Sequence, residues 1–315
     1  NGTTALHLAY LAIGLEQGDI VWTTSNTFVA TANAALYCGA EVDFVDIDAK
    51  TYNMSIDCLK EKLIQAKIDN ELPRLVVPVH FSGQSCNMKD IWALSKEYGF
   101  KVIEDACHAL GGEYLGNKVG CCEYSDMAVF SFHPVKMITT GEGGAIMINN
   151  KQLEEKIALL RSHGVSKNSK NFKNDSDGSW YYEQQVLGFN YRLTDMQAAL
   201  GISQLKRLDS FVEKRRKVAK RYLSELKNVT LPYQHPDTNS SWHLFVVKVK
   251  DRKAVYQQLK VQGIMTQVHY IPVNQQPFFN RKQLKNGSDF YQHCLSLPIY
   301  SDLTNQEQLK VINSL

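Results

Sequence analysis

Short runs of β-branched and other apolar residues alternate with amphipathic stretches through the first half of the chain. The apolar runs predict strands, which cover residues 20–23, 42–45, 75–79, 101–105 and 127–132. Helical spacing predicts helices from Thr3 to about Gly18 and at 27–38, 55–67 and 88–98. Because this alternation is typical of parallel strands joined by right-handed crossovers, we expect an α/β fold with a mostly parallel central sheet and ligands at the carboxyl ends of its strands.

The second half of the chain continues this pattern and then changes it. After Gly143-Gly144, a strand is predicted over 145–148, a helix over 151–162, a loop over 166–179 and a long helix over roughly 194–227, with an apolar stripe from Leu205 to Leu226. Beyond Pro232 the pattern predicts a strand at 243–250, a helix at 251–262, a strand at 264–270 and a closing helix near 305–315. We therefore expect a large domain over residues 1–227 and a smaller C-terminal α/β domain over 228–315.

Composition limits the possible partners. Hydrophobic residues make up 44% of the 315 and charged residues 21%, which fits a globular core, and the formal net charge of +3 is too small to indicate a nucleic-acid-binding protein. The basic run over 214–221 is flanked by Glu213 and Glu225 and predicts the solvated face of a helix. The uncharged run from Ile20 to Ala40 is rich in Thr, Ser and Asn, so we expect no membrane span.

The seven cysteines are scattered and contain no C-x-x-C pair. This pattern indicates neither a disulfide framework nor a zinc site, and a reducing cytoplasm is the simplest interpretation. The adjacent pair Cys121-Cys122 has no second ligand cluster, so we expect buried thiols there and no bound metal. The chain is expected to act on a small molecule or to pair with another copy of itself.

The clearest chemical signal is Lys136, which follows an apolar strand and precedes the glycine-rich turn Gly141-Glu142-Gly143-Gly144. A lysine at such a place can be desolvated and lose its proton, and its amine then becomes a nucleophile towards aldehydes and ketones. That property is required of a lysine that forms a Schiff base. An isolated lysine in a loop is more often a plain surface residue, so the surrounding motifs decide between the two interpretations.

Two further motifs are consistent with a pyridoxal phosphate site. Asp105 ends the strand 101–105, where a carboxylate can pair with a protonated pyridine nitrogen, although a helix cap would use the same residue type. Gly2-Thr3-Thr4 opens a helix, and the free N–H groups and hydroxyls of such a turn suit a phosphate, although many such turns bind nothing. Together, the phosphate turn, the aspartate and the lysine occur in the order that an enzyme of the aspartate aminotransferase fold requires.

Several segments of this chain resemble the DegT/DnrJ/EryC1/StrS family of sugar aminotransferases, over essentially its whole length. The segments are Asn1-Gly2-Thr3-Thr4-Ala5, Thr27-Phe28-Val29-Ala30-Thr31-Ala32-Asn33, Glu104-Asp105-Ala106-Cys107-His108-Ala109, Ser131-Phe132-His133-Pro134-Val135-Lys136, Gly141-Glu142-Gly143-Gly144, Gly188-Phe189-Asn190-Tyr191-Arg192 and Gln267-Val268-His269-Tyr270. The resemblance implies the fold type I of pyridoxal-phosphate-dependent transferases. It also implies a further segment of roughly fifty residues before the phosphate turn, so we expect a partial chain.

The resemblance also implies a role for each matching residue. Lys136 matches the lysine that forms the internal aldimine with the cofactor and later moves protons, Asp105 the partner of the pyridine nitrogen, and His108 a neighbour of the ring. Phe28 matches the aromatic residue that stacks on the ring. The matches to phosphate ligands are Thr3, Thr4, Ser131 and, from the other subunit of a homodimer, Asn190. Candidate substrate residues are His133, Arg192, His269 and Tyr270, although a dimer salt bridge for Arg192 and a packed core imidazole for His269 stay open.

The family's chemistry implies an amino transfer from glutamate, through the amine form of the cofactor, to a keto-sugar linked to a nucleotide. His133 and Ile138-Thr139-Thr140-Gly141-Glu142 are similar to the branch that acts at carbon 4 of UDP-linked deoxy-keto-sugars, as in pseudaminic acid synthesis. A sugar dehydratase of the same fold is a rival, but the resemblance leads us to expect histidine in place of Lys136 there. A catalytically silent binding or regulatory relative is the second rival, against which Asp105 and Lys136 both argue.

Overall fold

The computed structural model describes all 315 residues, and a six-stranded sheet lies at its centre with strand order β2-β1-β3-β4-β7-β8. The strands are β1 (Ile20–Thr24), β2 (Glu41–Val45), β3 (Leu75–Val77), β4 (Lys101–Asp105), β5 (Glu113–Tyr114), β6 (Asn117–Lys118), β7 (Met127–Ser131), β8 (Gly144–Met147), β9 (Val165–Ser166), β10 (Glu183–Gln184), β11 (Thr238–Asn239), β12 (Phe245–Lys248) and β13 (Cys294–Leu297). The helices are α1 (Gly2–Ala12), α2 (Val29–Tyr37), α3 (Ile56–Asp69), α4 (Met88–Tyr98), α5 (Lys151–Arg161), α6 (Asp195–Leu205), α7 (Leu208–Glu225), α8 (Arg252–Val261), α9 (Lys285–His293) and α10 (Asn305–Asn313).

The central sheet is parallel except at one edge, which confirms the expected α/β class. Strands β2, β1, β3, β4 and β7 pair in parallel, whereas β8 pairs antiparallel to β7, with Ser131 opposite Gly144. Only the segment 132–143 joins β7 to β8, and so short a connection without a helix permits only the antiparallel arrangement. This segment contains Lys136, so the lysine lies in the loop that connects two hydrogen-bonded strands.

Helices cover both faces of the sheet and bury two separate cores. On one face, α1 and α2 pack against the sheet around Leu6, Tyr10 and Val129. On the other face, α3 and α4 pack around Leu63 and Ile91. Helices α3 and α4 bury one apolar face and carry charged residues on the other, whereas α1 and α2 contain no Asp, Glu, Lys or Arg. This layered packing fixes the carboxyl ends of β4 and β7 beside the start of α1, where the predicted cofactor residues lie.

The prediction of one helix over 194–227 is wrong, because the chain breaks between α6 and α7. Leu205, which we assigned to the apolar stripe, is 54% exposed, whereas Leu208 is 9% exposed. The break at 206–207 separates the apolar stripe into two parts. The part on α7 packs on the core, whereas α6 buries none of its residues. The apolar spacing continues across the break, and for that reason the sequence pattern does not reveal it.

The C-terminal part contains elements that the pattern did not predict. The strand expected at 264–270 is absent, and only Gln267 forms a single bridge there, with Ser296. Instead β12 pairs antiparallel with β13, and α9 precedes β13. Residues of α7, including Val218 and Tyr222, share a core with this two-stranded sheet. The division into domains at residue 227 stays a prediction.

Two further expectations need correction. Arg215, expected on a solvated face, is buried, because its Nη1 donates to the carbonyl oxygens of Trp242, His243 and Ile299 at 3.2, 3.1 and 2.9 Å. Cys121, expected to be buried, is exposed, whereas Cys122 is buried as expected. All seven cysteines are free thiols. No helix is long and apolar enough to cross a membrane.

Candidate active site

A cavity of about 400 Å³ opens where β4 and β7 end, beside the start of α1. This is the edge of an α/β sheet at which ligands collect, and its size is within the range of small-molecule sites. The cavity brings together nine of the predicted site residues, which are Thr3, Phe28, Asp105, His108, Ser131, His133, Lys136, His269 and Tyr270. They come from distant parts of the sequence and meet only because the sheet topology places them there.

Asp105 lies at the last position of β4 and is buried. Its Oδ2 accepts a hydrogen bond of 2.7 Å from the hydroxyl of Thr31 on α2, and its Oδ1 accepts one of 3.2 Å from the backbone N–H of Cys107. The Thr31 hydroxyl is also 2.9 Å from that of Thr27, so a chain of hydroxyls leads to the carboxylate. These donors fix the carboxylate at the cavity wall, because hydrogen bonds to an ionised group are strong and directional.

Lys136 is half-buried in the loop between β7 and β8. Its backbone N–H donates to the carbonyl of His133, and the loop is closed by Phe132 N–H to the Gly143 carbonyl, at 2.9 Å each. Burial lowers the pKa of the Lys136 amine, while Cys107 and Asp105 raise it to a smaller extent. A lowered pKa increases the fraction of neutral amine, which is the form that can act as a base or a nucleophile.

His108 and Tyr270 also line the cavity and contact each other. His108 is buried, its Nε2 lies 3.0 Å from the Tyr270 hydroxyl, and its Nδ1 has no partner within the chain. Burial lowers the pKa of His108 well below its usual value, and the nearby Lys136 lowers it further. The ring is therefore neutral at physiological pH, and an unpaired buried nitrogen favours a polar ligand atom in the cavity.

The first turn of α1 lies against the end of β7. The N–H groups of Gly2 and Thr3 donate to no group of the chain, as is usual at a helix start. A Cβ on Gly2 would lie 2.9 Å from the Cβ of Ser131, so only glycine permits this close approach of helix and strand. The turn, the Ser131 hydroxyl and the helix dipole together suit an anion.

Phe28 and His269 lie at the rim of the same cavity. The Phe28 side chain is 59% exposed, and its ring centroid is 6.3 Å from that of Tyr270, so one face is available to a flat ligand. His269 Nδ1 lies 2.8 Å from the Ser296 hydroxyl. Burial and then Lys136 lower the pKa of His269 to about 4, so this imidazole is also neutral at physiological pH.

Three predicted residues lie outside this cavity. Thr4, Asn190 and Arg192 line a neighbouring cavity of about 490 Å³, and Glu142 lines both. The Thr4 hydroxyl donates to the Asn1 carbonyl at 2.8 Å, within the cap of α1. Asn190 and Arg192 are exposed on the surface, and Arg192 makes no salt bridge. Their roles stay predictions, because nothing in the single chain brings them to Lys136.

Sequence reasoning did not single out Thr31, Cys107, Glu142 or His243 as functional. Thr27 and Thr31 are four residues apart in the segment 27–33, which resembles the family. Their spacing could have indicated the chain of hydroxyls that leads to Asp105. His243 packs against His108, with ring centroids 4.4 Å apart. No local sequence pattern predicts this contact. No group of three or more His, Cys, Asp or Glu side chains is arranged to hold a metal ion.

Comparison with known proteins identifies the class. The profile of the DegT/DnrJ/EryC1/StrS aminotransferase family matches residues 1–315. The UDP-4-amino-4,6-dideoxy-N-acetyl-β-L-altrosamine transaminase of Campylobacter jejuni subsp. jejuni serotype O:23/36 is 40% identical over 96% of this chain and 80% of its own length. The spore coat polysaccharide biosynthesis protein SpsC of Bacillus subtilis is 37% identical over 99% of this chain and 82% of its own length.

A solved structure agrees with these relatives. Helicobacter pylori PseC, an aminotransferase involved in pseudaminic acid biosynthesis, superposes with a TM-score of 0.88 at 32% identity, over 100% of this chain and 84% of that one. The fold and the lysine-containing cavity thus define an α/β aminotransferase. The chain belongs to the DegT/DnrJ/EryC1/StrS aminotransferase family.

Proposed function

We propose that this enzyme uses pyridoxal 5'-phosphate to transfer an amino group from glutamate to the 4-keto carbon of a UDP-linked deoxy-keto-sugar. The family is one of aminotransferases, and the Campylobacter relative is named for a UDP-linked amino sugar. The observation that carries the proposal is the position of Lys136, which lines one cavity together with Asp105 and the first turn of α1. A dehydratase is disfavoured, because the resemblance leads us to expect histidine at this position in that class.

The residues of the cavity fit pyridoxal phosphate. The first turn of α1 with Thr3 and Ser131 would hold the phosphate, and the Gly2 contact with Ser131 leaves no room for a side chain there. Asp105 would face the pyridine nitrogen, and the unpaired Nδ1 of buried His108 fits a polar atom on the ring. The exposed ring of Phe28 would cover one face of the cofactor.

When bound, the cofactor supplies an electron sink that stabilises negative charge on the substrate carbon. Asp105 keeps its carboxylate fixed through Thr31 and the Cys107 N–H, so it can hold a proton on the pyridine nitrogen. Lys136 would accept a proton at its Nζ and later donate it again, which requires a neutral amine at the start. Its lowered pKa increases the fraction of the amine in that form.

The proposal includes a homodimer, because the exposed surface of α6 is unusually apolar. Met196 is 83% and Ile202 60% exposed on this helix, and Leu187 in the preceding segment is 81% exposed. An apolar helix with no buried residue is typical of a surface that a partner covers. Gln197 of this helix donates to the Glu142 carbonyl at 2.9 Å, so a subunit docked here would lie beside the cavity and could bring Asn190 to a shared site.

We also include in the proposal the two-domain organisation, 1–227 and 228–315, and a cytoplasmic location. The second sheet, β12 and β13, packs around a core that contains Phe245 and Leu295 and is separate from the two cores of the central sheet, which supports a C-terminal unit, although α7 contributes to the same core. Seven free thiols favour a reducing compartment.

The test is an amino-transfer assay with glutamate over a panel of UDP-, dTDP- and GDP-linked 4-keto and 3-keto sugars. We expect purified protein supplied with pyridoxal phosphate to show a visible absorption band and to prefer a UDP-linked 4-keto sugar. The variant Lys136→Ala should lose the band and the activity, and Lys151→Ala, at a lysine on the surface of α5, should keep both. Absence of the band from the wild-type protein would refute the enzymatic proposal, and transfer only to a 3-keto sugar would refute the assigned position.

A further inference from the structure

His243 lies directly behind His108, outside the set of residues that line the Lys136 cavity. Both imidazoles are buried, their ring centroids are 4.4 Å apart, and the planes are inclined by 42°. Neither Nδ1 has a partner within the chain. His108 therefore contacts the cavity on one side and a second imidazole on the other.

The segment that carries His243 is held in place by the active-site elements themselves. The Ser241 hydroxyl donates to the His108 carbonyl at 3.0 Å, and the Ser241 N–H donates to the Gly83 carbonyl at 3.1 Å. A Cβ on Gly83 would lie 2.6 Å from the Ser241 Oγ and 3.0 Å from the backbone nitrogen of His243. The φ angle of Gly83 is +103°. Glycine at this position is thus required for the segment 241–243 to pack so closely against the turn at Gly83.

Arg215 holds the same segment from α7. Its Nη1 donates to the carbonyls of Trp242 and His243, and no carboxylate pairs with the guanidinium. Burial lowers the pKa of Arg215 to about 10, so it stays protonated at neutral pH. Burial lowers the pKa of His243 well below its usual value, and the positive charges of Lys136 and then Arg215 lower it further.

We propose that His243 is a positioning residue: packed behind His108 and held by Arg215, it fixes the ring plane of His108 and hence the direction of the His108 hydrogen bonds into the Lys136 cavity. This inference rests on the proposed aminotransferase site, but it concerns contacts within the chain itself. A ring that could turn would place its two nitrogens differently with respect to Tyr270 and to a ligand. Small changes in the orientation of a catalytic group have large effects on rate.

The experiment compares His243→Ala, which removes the ring, with His243→Phe, which keeps a flat ring without nitrogens. In the cofactor-free protein, the imidazole of His108 is followed by histidine-selective NMR over pH, with the signal assigned through His108→Asn. The groups that face His108 are Lys136, His243, His269 and Tyr270, so no carboxylate titration contributes directly. We expect His243→Ala to raise the pKa of His108 towards its usual value and His243→Phe to leave it low.

In the loaded enzyme we expect His243→Ala to lower kcat roughly tenfold with little change in KM, and His243→Phe to recover most of that loss. Phe245→Leu, in the buried core around β12, is the control, because it destabilises the fold without removing a contact to His108.

An unchanged His108 titration in His243→Ala would overturn the proposal, as would equal impairment of the Ala and Phe variants. If His243→Ala fails to fold, the comparison of His243→Phe with wild type decides, because a shifted His108 titration there overturns the proposal. Failure of every sugar to react, with the NMR shift present, would refute the proposed function and leave the positioning role intact.

Discussion

Removing the hydroxyl of Thr31 tests whether this residue holds the Asp105 carboxylate in place. Thr31→Val keeps the shape of the side chain but deletes the donor of the 2.7 Å hydrogen bond to Asp105 Oδ2. The remaining donor to that carboxylate is the backbone N–H of Cys107, at 3.2 Å. Hydrogen bonds to a charged group contribute about 1.5–3 kcal/mol, so we expect the free energy of unfolding to fall by roughly 2 kcal/mol, or about 30-fold in the folding equilibrium.

The assay is a double-mutant cycle in urea, with cofactor-free protein at one fixed concentration. The variants are Thr31→Val, Asp105→Ala and the two together, and we expect a coupling energy of about 1.5–3 kcal/mol. Thr23→Val is the matched control, because the buried Thr23 hydroxyl donates at 2.8 Å to the neutral Val77 carbonyl. The control should cost about 1 kcal/mol and show no coupling to Asp105. A coupling below about 0.5 kcal/mol for Thr31 would refute the reasoning, since additive sites differ by no more than that.

Two more outcomes follow from the surface of α6 and from His269. Met196→Lys should convert a homodimer to a monomer without lowering the stability of the subunit, because this side chain is 83% exposed. Light scattering measures the oligomeric state and urea unfolding the stability. A dimer that is unchanged in this variant would contradict the prediction. His269 has a pKa of about 4 when folded and near 6.5 when unfolded, so the unfolded chain binds the extra proton between these values. Stability should therefore fall by at most ~3 kcal/mol as pH drops from about 6.5 to 4, and His269→Gln should flatten this part of the curve. An identical pH curve for His269→Gln would contradict the assignment.

Local pattern was enough to predict the central sheet and to place Asp105 and Lys136 at strand ends, whereas Phe28, His108 and Ser131 were assigned only through the family resemblance. Asp105 and Lys136 follow apolar strands, and the sheet topology makes the ends of such strands meet. That these two residues line one cavity could therefore be predicted before any contact was known, while their chemical roles stay predictions. Which residue packs behind His108 could not, because His243 is 135 positions away along the chain and is placed by contacts with Gly83 and Arg215.

The elements that were missed depend on remote side chains. Helix α9 has no side-chain cap of its own, and its first N–H groups, of Asn286 and Gly287, instead donate to the carboxylate of Asp46. A cap supplied from β2's end cannot be recognised in the local sequence. Arg215 was misjudged for the same reason, because its acceptors are backbone carbonyls of two distant segments.

The antiparallel edge of the sheet has a consequence for how this scaffold can vary. Ser131 and Gly144 are paired, and Phe132 contacts both Gly143 and Thr140 through backbone hydrogen bonds, so the loop with Lys136 is fastened at both ends. An insertion or deletion there would displace the amine from the cavity or break the strand register. Within this loop the scaffold can therefore vary only by exchange of single side chains, whereas changes of length are expected in segments elsewhere, such as the polar stretch between β9 and β10.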